Sequence, residues 1–321
     1  MRVLITGVSG FVGRHLVTQC RRSDAEAEVV GVGRGRVDDA LTEDLAEYAT
    51  VDLNDAEAIA AVIRRSKPDR VFHLAAQASV RASWKAPRET LSTNLTTSIN
   101  LLEAVRSGAP DARVLVTCSG EEYGPVAGDR LPVTEAEPLR PQNPYAVSKA
   151  SVDLLAGFYA EAHGLRVVRA RAFNHCGPGQ KDAYVVAAFA KQIAAAEAEG
   201  RARVRVTTGD LRPRRDFTDV RDVVRAYWLA AELAPPGVYN VCAGESTPIA
   251  DILSGLARHS RIEVDQHTDP DRIRKHEVME VRGSHEKLTN ATGWEPEIPL
   301  EETLRDTLDW WRARVAMAAS R

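Results

Sequence analysis

The chain has 321 residues, 44% of them hydrophobic and 27% charged, and a formal net charge of -3 from 42 basic and 45 acidic side chains. That length and apolar fraction allow one large domain or two modest ones with a buried core, and the balanced charge excludes nucleic acid as a partner. No run of about 18 apolar residues is present to enter a membrane, and the start MRVLIT lacks the zones of a signal peptide, so the expected compartment is the cytoplasm.

The first element is a strand, Arg2–Thr6 (RVLIT), a short β-branched apolar run. It leads into TGVSGFVG at 6–13 and a helix over 11–20, where Phe11, Val12, Leu16 and Val17 recur at helical spacing. Glycines at a strand-to-helix turn can cradle a dinucleotide. Gly7 permits the tight turn, Gly10 lets backbone approach a pyrophosphate, Gly13 lets the helix pack against the strand, and the helix N-terminus attracts the phosphates. A second strand over 28–32 ends in Gly33, Arg34, Gly35 and Arg36, where the adenosine ribose of a bound dinucleotide should lie. Two guanidiniums and no carboxylate there predict a preference for NADP(H), with NAD(H) as the alternative cofactor.

Strand–helix alternation continues with a strand over 49–52, a helix over 56–65, a strand over 70–74, a helix over 90–105, a strand over 113–117, a helix from Tyr145 and a strand over 166–171. Repeated βα units predict an α/β fold, a Rossmann-like doubly wound parallel sheet. In the segment PYAVSK, Tyr145 and Lys149 stand at i and i+4 on one helix face, where an ammonium can lower the pKa of the phenol and make it a usable acid/base. Upstream, VTCSGEEYG brings Ser119 to the carboxyl edge of the sheet, within reach of the oxygen that Tyr145 would protonate. Cys20, Cys118, Cys176 and Cys242 lie far apart with no CxxC pair, which predicts buried, reduced thiols and no metal site. His175, Trp310 and Trp311 read as structural groups.

Ser119, Tyr145 and Lys149 on this framework resemble the Ser/Tyr/Lys triad of the short-chain dehydrogenase/reductase family. The likeness is to its extended, nucleotide-sugar-modifying branch and runs over nearly the whole chain. TGVSGFVG resembles the family's TGxxGFxG, Asp52 and Leu53 stand where the family has the acid that contacts adenine, and HLAAQASV at 73–80 resembles its fourth-strand segment beside the cofactor. The resemblance implies cofactor contacts from Gly7, Gly10, Phe11, Val12, Arg34, Asp52, Leu53, Leu74, Ala75 and Ala76, and from Tyr145 and Lys149 themselves. FNHCGPGQ, RRDFTDVRDVVRAYW, YNVCAG and RKHEV resemble the GDP-mannose 4,6-dehydratase and GDP-4-keto-6-deoxymannose reductase group. By that resemblance Asn174, Arg215, Arg274 and Glu277 bind the substrate, a nucleotide-diphosphate sugar with GDP as the nucleotide; guanidinium forks suit a diphosphate.

The resemblance also implies two domains: residues 1–173 with about 214–243 binding NADP, and about 174–213 with 244–321 forming a smaller mixed α/β domain for the nucleotide sugar. Helices are expected there over 185–197, 248–257 and 300–315. A homodimer through the helices 90–105 and 145–161 is expected on the same ground. Members of this branch exchange a hydride at sugar C4; a dehydratase also needs a base at C5 and an acid to expel the C6 hydroxyl. Glu121 can serve as that base, but Gly120 offers no proton donor, and GRGRVDDALTEDL after the second strand is short for a dehydratase. The reading favoured is NADPH-dependent reduction of a GDP-4-keto-6-deoxyhexose. GDP-mannose 4,6-dehydratase, a nucleotide-sugar epimerase and a catalytically silent cofactor-binding protein stay open as alternatives.

Overall fold

Residues 1–273 and 278–319 are described in this computed structural model. The first half of the chain runs β1 (Arg2–Thr6), α1 (Phe11–Ser23), β2 (Glu28–Gly33), α2 (Asp39–Glu43), β3 (Glu47–Thr50), α3 (Ala56–Ser66), β4 (Arg70–His73), α4 (Val80–Lys85), α5 (Pro87–Gly108), β5 (Arg113–Ser119), α6 (Pro144–His163) and β6 (Arg166–Ala172). The second half continues with β7 (Asn174–Cys176), α7 (Val185–Ala198), β8 (Arg203–Thr208), β9 (Arg214–Asp219), α8 (Val220–Leu233), β10 (Gly237–Val241), β11 (Ser246–Pro248), α9 (Ile249–Arg258), β12 (Glu263–Thr268), α10 (Glu286–Thr292) and α11 (Leu300–Ala319).

Seven strands form one parallel sheet in the order β10-β6-β5-β4-β1-β2-β3. Side chains alternate across it, as a strand's period of two requires. Val3, Ile5, Phe72 and Leu115 face α1 and α8, whereas Leu4, Val71, Val114 and Val116 face α3, α5 and α6. The chain winds outward from β1 in both directions, since β1 pairs with β2 on one side and β4 on the other. A crevice opens beyond the carboxyl ends at such a reversal, and ligands bind there in open α/β sheets. The predicted doubly wound sheet is therefore present.

A second layer carries the strands β11-β9-β7 and the pair β12-β8. Its core is built from α7, α9 and α11 through Phe189, Ile193, Ile252, Leu256, Leu304, Leu308 and Trp311, with Trp310 packed against it. Both tryptophans thus act as core, as read from the sequence.

Three boundaries differ from expectation. Strand β3 ends at Thr50, two residues early, because Asp52 folds into a turn whose carboxylate accepts the Asn54 N–H. Strand β9, expected to return to the large sheet from residue 214, pairs with β7 and β11, and the return begins only with α8 and β10. Residues 286–294, assigned by sequence to the smaller domain, instead bury Leu288 and Trp294 in the core of the large sheet, where Trp294 Nε1–H donates to the Asp222 carbonyl at 3.0 Å. Apolar periodicity shows that a face will be buried; it does not say against which partner.

Candidate active site

The turn after β1 is drawn tightly against the end of β4. Gly7 has a φ of +72°, and a Cβ there would stand 2.9 Å from the Ala75 nitrogen, so only glycine fits. Its N–H donates to Val32 at 2.8 Å, and the Gly10 N–H donates to Gly7 at 2.9 Å, closing the turn. Gly10 caps α1 without any side-chain hydrogen bond. The N–H groups of the first turn, including those of Phe11 and Val12, are therefore left for an anion. Gly13 serves a closer contact than expected: a Cβ there would meet the Val8 and Gly7 carbonyl oxygens at 2.5 and 2.6 Å, the turn itself rather than the strand. A cradle that any Cβ would fill, with an uncapped helix start behind it, fits the pyrophosphate of a dinucleotide.

Around this cradle, Leu74, Ala75 and Ala76 continue β4 half-buried, with the Leu74 N–H donating to the Thr6 carbonyl and the Ala75 N–H to Thr6 Oγ1, both at 3.3 Å. Arg34 and Arg36 are exposed beyond β2. Asp52 is exposed, and the Asn54 backbone N–H, the Asn54 amide and the nearby Arg34 charge hold its carboxyl below the usual range. Leu53 turns its side chain into the core and accepts the Asn100 amide on its carbonyl at 2.8 Å, so backbone is what it presents to the cleft.

Ser119 ends β5 with its N–H donating to Glu122 Oε1 at 2.7 Å and its Oγ accepting the Glu121 N–H at 3.2 Å. Asn143 caps α6 by accepting the Ala146 N–H at 2.8 Å, and Pro144 occupies the first turn, where its missing N–H costs nothing. This start puts Tyr145 opposite Ser119 and Lys149 one turn inward. Lys149 Nζ donates to the Thr117 carbonyl at 2.7 Å. Burial pushes the Tyr145 phenol well above its ordinary value, against a weaker opposing effect of Ser119, and burial pushes the Lys149 ammonium down. The phenol is thus raised, not lowered as expected: desolvation dominates, and the ammonium is held by a backbone carbonyl.

Glu121 is exposed, with Oε2 accepting the Asn143 amide at 3.1 Å. A Cβ at Gly120 would point at Phe173, 3.0 Å from its ring. Sequence reasoning missed the supports behind these groups. Asn94 on α5 donates to Ser148 Oγ at 2.9 Å and accepts the Gln77 N–H at 2.7 Å, tying α5 and α6 to the segment after β4. Glu122, Asp153 and Arg171 form a buried charged cluster below Ser119. The doubled glutamate at 121–122 and the four-residue step from Lys149 to Asp153 were its signals.

Asn174 and Arg215 come together on one small sheet, Asn174 exposed at the start of β7 and Arg215 half-buried on the adjacent β9. Arg215 Nη1 donates to the Arg214 carbonyl at 2.8 Å. Arg274 and Glu277 lie outside the described residues. His175 is bonded through Nδ1 to the Phe173 carbonyl and lies parallel to the Phe11 ring, with burial pushing its pKa down, so it packs as a structural group. Beneath Arg215, the Asp216 carboxylate accepts the N–H groups of Ala243, Gly244 and Gly283 at 2.7, 3.0 and 3.1 Å; burial outweighs them and raises its pKa to about 7. All four cysteines are free and buried.

A family model described as GDP-mannose 4,6 dehydratase matches residues 4–307. The chain belongs to the GDP-mannose 4,6-dehydratase family. It is accordingly an extended short-chain dehydrogenase/reductase enzyme, as the triad and the sheet imply. It is 37% identical to GDP-6-deoxy-D-mannose reductase from Pseudomonas aeruginosa, over 98% of both chains. It is 30% identical to GDP-mannose 4,6 dehydratase 2 from Arabidopsis thaliana, over 80% of this chain and 69% of that one. A solved structure of RMD from Pseudomonas aeruginosa complexed with NADPH superposes with a TM-score of 0.84 at 36% identity, covering 98% of this chain and 99% of the other. Among the described residues, no helix of this family member is long and apolar enough to cross a membrane.

Proposed function

We propose that the protein reduces the C4 keto group of a nucleotide-linked 4-keto-6-deoxyhexose with NADPH, and that the substrate is GDP-4-keto-6-deoxymannose. The observation that carries this reading is the 37% identity to a GDP-6-deoxy-D-mannose reductase over 98% of both chains. The likeness to an NADPH complex supports the cofactor, as do Arg34 and Arg36 beyond β2, which suit a 2′-phosphate. When bound, the nicotinamide supplies the hydride that C4 gains. Tyr145 gives its phenolic proton to the C4 oxygen, so the carbonyl becomes a secondary alcohol, and Ser119 Oγ hydrogen-bonds that oxygen. Lys149, fixed on Thr117, offsets the phenolate that remains. Asn174 and Arg215 hold the diphosphate from the β7–β9 sheet. Glu121 takes no proton from C5 in a reduction and serves as a polar contact to the sugar.

We further infer a homodimer working in the cytoplasm. On α6, Leu154 and Phe158 are 66% and 55% exposed one turn apart, and Trp84 on α4, a helix that packs against α6, is 64% exposed; these apolar side chains suit a second copy. Buried free thiols suit a reducing compartment.

The test is NADPH consumption with GDP-4-keto-6-deoxymannose, run beside GDP-mannose plus NADP, with product masses recorded. The expected result is NADPH loss and a gain of two hydrogens, reduced by about 10²–10⁴-fold in Tyr145→Phe. Loss of water from GDP-mannose without NADPH consumption would move the assignment to the dehydratase, with Glu121 as the C5 base.

A further inference from the structure

Beneath Ser119, Tyr145 and Lys149 lies a charged cluster that the proposed reaction leaves unused. Glu122 and Asp153 are both fully buried, and with Cys118 they bring one carboxylate or sulfur atom each within 4.8 Å of one another. Asp153 follows Lys149 by four residues, as Lys149 follows Tyr145, so one stripe of α6 carries a phenol, an ammonium and a carboxylate from the cleft inward. Asp153 is matched on both oxygens: Oδ2 accepts Arg171 Nε–H at 2.7 Å and Oδ1 accepts Arg169 Nη1–H at 2.8 Å. Arg171 also donates to the Tyr123 hydroxyl at 2.9 Å, and its Nε stays 3.7 Å from Glu122 Oε2. Glu122 is matched on one oxygen only. Oε1 accepts the Ser119 N–H at 2.7 Å, while Oε2 is buried without a hydrogen-bond partner.

We propose that Glu122 is a positioning residue of the active site: one carboxylate oxygen fixes Ser119, and the protonation of the same carboxyl sets the charge that Lys149 and Tyr145 feel. This rests on the reductive reading given above. Arg169 and Arg171 are both spent on the Asp153 carboxylate, which leaves Glu122 Oε2 with no donor and with a like charge beside it in a dry interior. Burial and the Asp153 charge accordingly push Glu122 up to about 8, against the opposing effects of Arg171, the Ser119 N–H and Lys149. The groups around it are Cys118 from β5, Tyr145, Lys149 and Asp153 from α6, Arg171 from β6 and Tyr123 from its own turn. Above that pH an ionised Glu122 strengthens the hold on both the Lys149 and the Tyr145 protons. Tyr145 is then a weaker acid, and protonation of the sugar oxygen slows.

The test uses the full chain with its lysines labelled with ¹³C at Cε, the Lys149 resonance being assigned from Lys149→Met. In the wild type that resonance shifts with a midpoint at about pH 8, and in Glu122→Gln the step is lost; the amide keeps an acceptor for the Ser119 N–H. In turnover of GDP-4-keto-6-deoxymannose, wild-type kcat falls about two- to five-fold as pH rises through that midpoint with KM unchanged, and Glu122→Gln holds the low-pH value throughout. Asp153→Asn removes the repulsion and moves both midpoints down, which keeps the proposal testable should Glu122→Gln fail to fold. A Lys149 step that survives Glu122→Gln, a kcat profile indifferent to it, or midpoints unmoved by Asp153→Asn overturns the proposal. If the wild type reduces no GDP-4-keto sugar while the Lys149 step vanishes in Glu122→Gln, the electrostatic coupling stands and the assigned reaction falls.

Discussion

Replacing Gly13 by alanine tests the cradle at its tightest point. The added Cβ would lie 2.5 Å from the Val8 oxygen, 2.6 Å from the Gly7 oxygen and 2.7 Å from the Val8 carbonyl carbon. Reaching even the 3.0 Å floor of real Cβ contacts requires a movement of 0.5 Å, the difference between 3.0 and 2.5 Å. All three atoms are backbone, and the Gly7 carbonyl already accepts the Gly10 N–H, so no rotamer change relieves the contact. Overpacking of this kind costs about 1–3 kcal/mol, and a rigid backbone collision belongs in the upper half of that range. Alanine's better helix propensity returns about 1 kcal/mol. The net of about 1–2 kcal/mol corresponds to a five- to thirty-fold weaker dissociation constant for NADPH where the turn deforms, or to a melting temperature lower by about 2–6 °C where the fold absorbs it. Fluorescence titration with NADPH and a thermal melt read the two together. Gly128→Ala, where a Cβ meets nothing within 4 Å, is the matched control and should change neither. Affinity within about two-fold of the wild type, with an unchanged melt, would refute the packing argument for the cradle.

Arg34→Glu places a carboxylate where the 2′-phosphate should lie and is expected to weaken NADPH by at least about ten-fold while leaving NADH nearly unchanged; tighter binding of NADH than NADPH by the wild type would sink the cofactor assignment. Phe158→Asp, in the exposed face of α6, should convert a dimer to a monomer in light scattering at fixed concentration, with the far-ultraviolet spectrum unchanged, and a mutant that stays dimeric removes this face from the interface. Asp216 has a folded pKa of about 7, above the ordinary carboxylate value, so the folded state binds more protons than the unfolded one between the two values. Its contribution is therefore complete at acid pH and is lost as pH rises through about 7. Asp216→Asn should flatten the fall of melting temperature between mildly acid and mildly alkaline buffer by up to about one proton's worth of linkage. An identical slope in the two proteins would show that the three backbone donors keep Asp216 ionised throughout.

Local periodicity and turn chemistry determined a good deal of this protein before any contact was known. The run RVLIT followed by Gly7, Gly10 and Gly13 could only be a strand, a sharp turn and a helix, and the structure has β1, the cradle and α1 there. Asn143 and Pro144 set the start of α6, and from that start the four-residue step fixes Tyr145 above Lys149. Ser119 was legible for a related reason: a buried strand that ends in polar residues ends at the edge of its sheet. Tertiary structure alone decided where Lys149 sends its ammonium, because its acceptor, the Thr117 carbonyl, lies 32 residues away on another element. It decided that β9 leaves the large sheet for β7 and β11, and that Trp294 is buried against α8 of the large sheet's core. It also decided the protonation of Glu122, whose repelling and attracting charges, Asp153 and Arg171, arrive from α6 and β6. Propensity and periodicity act over a few residues and are written along the chain, whereas desolvation and Coulomb energy depend on distances that exist only once the elements have packed.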